Sequence, residues 1–95
     1  MNADQHGSET QGQHRVRVVM ERIQKELMRA VRIHAAFHSA HEGYAILLEE
    51  VDELKAEVFR RDRHYDRMRT EAIHVAAMGA RFVLDLYGEE LDREL

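Results

Sequence analysis

The chain has 95 residues, 44% of them hydrophobic and 34% charged, which is enough apolar material for one modest core and excludes a disordered chain. Cysteine and proline are both absent; disulfides, thiolate metal sites and cysteine nucleophiles are excluded, and a composition led by Ala, Leu, Glu, Arg and Met favours helix over sheet. Eighteen acidic residues against 14 basic ones give a formal charge of -4, so no molecule-wide field draws the chain onto nucleic acid or an anionic membrane, and neither is expected as a partner.

No apolar run approaches the ~20 residues of a membrane span, and the first residues lack the hydrophobic segment of a signal peptide, so a cytoplasmic location is expected. Residues 1–13 are polar and aperiodic and read as a flexible tail ahead of a helical domain over 14–95. From about His14, Val16, Val19, Ile23, Leu27, Ala30 and Val31 follow the three-and-four spacing of an amphipathic helix that should run to about Phe37. "HSAHEG" interrupts it, and Ser39 with Glu42 three residues on matches a capping box that starts a second helix. Its apolar stripe is Tyr44, Leu47, Leu48, Val51, Leu54 and Val58. The periodicity fades in "RRDRH", where Asp62 is placed to cap a third helix carrying Tyr65, Met68, Ala72, Val75, Phe82 and Leu86, with Gly88 as its stop. The expected fold class is all-α, a bundle of three main helices per chain. So short a chain makes a thin core, and completion by oligomerisation is expected.

The second helix concentrates negative charge. Glu49, Glu50 and Glu53 have no Lys or Arg three or four residues away, although Asp52 has Lys55, and Glu57 has Arg60 and Arg61. Like charges at these spacings cost a few tenths of a kcal/mol each (~0.2–0.5). Glu50 and Glu53 border the apolar stripe, so they face an interface. If the second and third helices form an antiparallel hairpin turning near Asp62, Glu53 lies level with Glu71 and Glu50 with His74. Four potential ligands then converge between two helices, and a hard divalent cation would relieve the repulsion. The alternative is a solvated acidic face, with Glu71 paired to Arg67 and His74 a half-buried helix residue; residue spacing alone leaves both readings open.

At these residues the chain resembles the MazG-like, all-α nucleoside triphosphate pyrophosphohydrolases. The first half of the motif is "EEVDE", Glu49 to Glu53. The second is "EAIH", with Glu71 in place and His74 where the family has aspartate, after a spacer of 17 residues. The resemblance spans roughly residues 14–87. It implies hydrolysis of a nucleoside triphosphate to monophosphate and pyrophosphate, with Mg²⁺ as cofactor and Mn²⁺ as the ion an imidazole would better suit, in a homodimer or homotetramer. By position, Glu50, Glu53, Glu71 and His74 would hold the metal and Glu49 would ligate or orient the attacking water. Lys55 or Arg81 would meet phosphate, and His38 and Tyr44, with His34 and Phe37, would surround the base. Because His74 departs from the motif, the alternative is a catalytically weak or inactive helical module that binds nucleotide or protein on the same scaffold.

Overall fold

In a computed structural model, which describes residues 9–94, the chain forms three helices, α1 (Gln11–Ile33), α2 (Ala40–Val58) and α3 (Tyr65–Glu94), with no strand among the described residues. The fold class is all-α. Each helix start is set by local chemistry. At α1 the Thr10 hydroxyl accepts from the Gln13 amide at 3.0 Å, while the Gln13 side chain accepts from the Thr10 amide at 2.8 Å, a reciprocal cap. This cap starts the helix three residues before His14. Of the predicted tail, residues 11–13 are therefore helical, and residues 1–8 lie outside the described residues. At α2 the Ser39 hydroxyl accepts from the Glu42 amide at 3.1 Å, but the Glu42 carboxylate turns to the His38 amide at 2.8 Å, one residue before the cap.

The ends of the helices also differ from expectation. α1 stops at Ile33 rather than at Phe37, because the chain leaves the helix to bury Phe37, which is only 6% exposed. Asp62 caps nothing; its carboxylate accepts from Arg60, and the first α3 turn closes from the Met68 amide to the His64 carbonyl. α3 does not stop at Gly88. Its backbone departs from helical geometry at Tyr87 (φ -129°, ψ 19°) and then resumes to Glu94.

α3 is the central element: it packs against α1 and against α2, while α1 and α2 do not pack on each other. The core is where all three meet the first loop, with Ala30, Phe37 and Met78 buried and Ile46, Leu47, Phe82 and Leu86 packed against them. Gly43 allows this approach, since a Cβ there would fall 2.8 Å from the Phe82 ring and 3.0 Å from that of Phe37. Arg81, buried on α3, clamps the loop: its Nε donates to Asp85 at 3.1 Å, another nitrogen donates to the Ala35 carbonyl, and the guanidinium lies 4.1 Å above the Phe37 ring centre. Asp85 in turn accepts from the Phe37 amide at 3.1 Å.

The result is an open layer. Its extents are 48 × 45 × 18 Å and its radius of gyration is 16.5 Å, against about 12 Å for a compact domain of this length. Val16, Val19, Met20 and Val31 on α1 and Leu48 and Val51 on α2 remain 40% or more exposed. No helix among the described residues is long and apolar enough to cross a membrane.

Candidate metal centre

The packing of α2 on α3 brings Glu50 to His74 and Glu71. Each of the three offers one ligand atom, and those atoms lie within 4.8 Å of one another. His74 sits among the carboxylates: Nδ1 is 3.5 Å from Glu71 and 3.8 Å from Glu50. Its other nitrogen, Nε2, is 3.6 Å from Glu26 of α1. One imidazole thus faces three carboxylates from three helices. These side chains are mostly withdrawn from solvent, and one buried oxygen each of Glu50 and Glu71 has no hydrogen-bond partner. Buried carboxylate oxygens without donors are costly. A bound divalent cation removes that cost, so the donors fit one.

The electrostatics follow from the same arrangement. Burial raises the Glu50 carboxyl above its ordinary range, and the adjacent Glu53 carboxylate, by repulsion and by sharing a proton, pushes it further. Glu71 adds a smaller push, and His74 opposes it. Glu71 does not use Arg67 as a surface partner; its nearest basic neighbour is His74. The expected Asp52–Lys55 pair does not form either, whereas Glu57 approaches Arg60 at 4.0 Å.

The remaining candidates divide by position. Glu53 lies beside Glu50 but is exposed and outside the trio. Glu49 is exposed and lines a groove of about 450 Å³ left between α1 and α2, together with Glu26, Glu50, His74, His38 and Arg81. His38 is therefore on the same groove as the acidic cluster, although its ring also approaches Glu42 at 3.3 Å. Arg81 borders the groove with its guanidinium already held by Asp85, the Ala35 carbonyl and Phe37, so its charge belongs to the fold. Phe37 is core beneath it, not a platform for a base. Lys55 and Tyr44 are exposed and line neither this groove nor the one between α1 and α3.

Glu26 escapes a reading based on charge pairing, because Arg22 and Arg29 stand four before and three after it and mark it as a surface ion-pair partner; it does accept from Arg29 at 3.0 Å, while also facing His74. Its signal lies instead in Ile23 and Ala30, three before and four after, which set it beside the apolar stripe as Glu50 is set on α2. No family model, curated protein or solved structure matches this chain.

Proposed function

We propose that the chain is a MazG-like nucleoside triphosphate pyrophosphohydrolase of the cytoplasm, working as a homo-oligomer and cleaving a ribo- or deoxyribonucleoside triphosphate to the monophosphate and pyrophosphate. The observation that supports it most is the convergence of Glu50, Glu71 and His74 to within 4.8 Å of one another, Glu50 and His74 on the groove wall, with two buried carboxylate oxygens lacking partners. Glu50, Glu71 and His74 would hold Mg²⁺ or Mn²⁺, with Glu53 beside them; the ion would neutralise phosphate charge and make a bound water more acidic. Glu49, exposed on the groove wall, would accept a proton from the water that attacks the α-phosphorus. The bond from that phosphorus to the bridging oxygen breaks, and pyrophosphate leaves with the electron pair. Oligomerisation is supported by the open layer and by the apolar side chains left exposed on α1 and α2.

A second reading is favoured by His74 itself. A protonated ring among Glu26, Glu50 and Glu71 would supply positive charge where a metal otherwise would, which suits a nucleotide-binding module without turnover. The two readings separate in one assay of pyrophosphate release from the common nucleoside triphosphates with Mg²⁺ and with Mn²⁺. The enzyme reading expects metal-dependent release that falls at least ~100-fold in Glu71→Gln, the scale of removing a group that organises catalysis. Release absent from the parent and gained by His74→Asp is the outcome expected of the second reading.

A further inference from the structure

A second groove, of about 560 Å³, runs between α1 and α3 on the other side of Glu26 and His74. Four cationic residues of α1 line it, Arg22, Lys25, Arg29 and Arg32, and Arg69 of α3 faces them. Steps of three, four and three residues keep the α1 side chains on one face, in a row about 15 Å long at the ~1.5 Å rise of a helix. Only two carboxylates line the same groove. Glu26 accepts from Arg29 at 3.0 Å, and Asp66 accepts from Arg69. Arg22, Lys25 and Arg32 have no carboxylate within 4.0 Å among the described residues. Outside the groove Arg17 is paired by Glu9 and Glu21 and Arg60 by Asp62, while Arg15, Arg61, Arg63, Arg67 and Arg93 are spread over the exposed surface. Five cationic side chains, three of them unpaired, thus line one groove of a chain with formal charge -4.

We propose that this groove binds a linear condensed phosphate, a chain of three or more phosphoryl groups, without a metal ion. A compact anion such as orthophosphate reaches one or two members of the row, whereas an extended polyanion reaches several together. Affinity should therefore climb with chain length and fall with salt. Binding depends on charge carried by α1 and not on chemistry at Glu50, so the site stands apart from the proposed hydrolysis although the two grooves share a wall.

The test is calorimetric titration of the full chain, in EDTA, with orthophosphate, pyrophosphate and tripolyphosphate. Tripolyphosphate should bind at least about tenfold tighter than orthophosphate, and the triple variant Arg22→Gln, Lys25→Gln, Arg32→Gln should lose about tenfold or more of that affinity. The three side chains are exposed, so the variant should keep the parent melting temperature and the parent response to Mn²⁺. Equal binding by variant and parent, or equal binding of orthophosphate and tripolyphosphate, overturns the proposal. So does a single-stranded oligonucleotide that displaces tripolyphosphate at equal phosphate concentration. A parent that binds tripolyphosphate in EDTA but never releases pyrophosphate from a nucleotide separates failure of the proposed hydrolysis from failure of this site.

Discussion

Two charged clusters lie two turns apart on α3, and they are built on opposite principles. Around Arg81 and Asp85, one guanidinium meets one carboxylate, and the spare donors and acceptors go to the Ala35 carbonyl and the Phe37 amide. Both side chains are 9% exposed or less. Around His74, one imidazole meets the carboxylates of Glu26, Glu50 and Glu71, with Glu53 adjacent and buried oxygens left without partners. A balanced cluster closes a fold. An unbalanced one keeps a capacity that only a cation or a proton can fill. Charge alone therefore does not mark a candidate site, and a buried oxygen without a partner does so only where other ligand atoms gather on it, as they do at Glu50 and not at Glu57.

The comparison is tested hardest at its closed end. Arg81→Met removes the guanidinium that touches Asp85 and leaves a buried carboxylate unpaired, for an expected loss of about 3–5 kcal/mol in urea or thermal unfolding. Replacing both, as Arg81→Met with Asp85→Leu, should recover part of that loss, because the stranded charge goes too. A single variant that melts like the parent but binds phosphate poorly would move Arg81 back among the substrate contacts.

Gly43 probes the same region with no charge involved. An alanine Cβ would meet the Phe82 and Phe37 rings at 2.8 and 3.0 Å, and both rings are held by packing beneath the loop that Arg81 clamps. The expected cost of Gly43→Ala is about 1–3 kcal/mol, read as a lower urea midpoint at unchanged slope. Little change would mean that α2 slides on α3 cheaply, and the Glu50–His74 register would then be loose as well.

The contrast between these clusters also explains what the sequence discloses. An antiparallel hairpin mirrors distances about its turn, so the level of Glu50 with His74 follows from numbering alone and the two meet, whereas Glu53, set level with Glu71 by the same count, lies exposed outside the trio. Glu26 comes from α1, whose position over α3 depends on packing between residues nearly 50 apart, and its Arg neighbours disguise it. Arg81 is misleading for a related reason: a lone arginine near a predicted site reads as a phosphate ligand until Asp85, on its own helix, and Ala35, 46 residues earlier, are seen to occupy it. The early end of α1 was hidden too. Val31 and Ile33 extend the apolar pattern, but burial of Phe37 outweighs one further helical turn.

At the open end the expected effects are smaller and depend on pH. The folded chain holds the Glu50 proton more tightly than the unfolded chain does, because burial and Glu53 raise this carboxyl. The stability this contributes is complete below the ordinary glutamate value and is lost as pH rises through the raised one. The metal-free parent should therefore weaken across that window, while Glu50→Gln, which never ionises there, should not. At pH 7 the variant should exceed the metal-free parent by roughly 0.5–1 kcal/mol, or about 2–8 °C in melting temperature. Mn²⁺ should reverse the order: at one hundred times its dissociation constant it adds about 2.7 kcal/mol to the parent, and less to a variant lacking one ligand. If Glu50→Gln melts below the metal-free parent at pH 7, the Glu50 charge is already compensated by His74. The cluster would then be as closed as that of Arg81 and Asp85, and the case for a cation there would fall with the contrast.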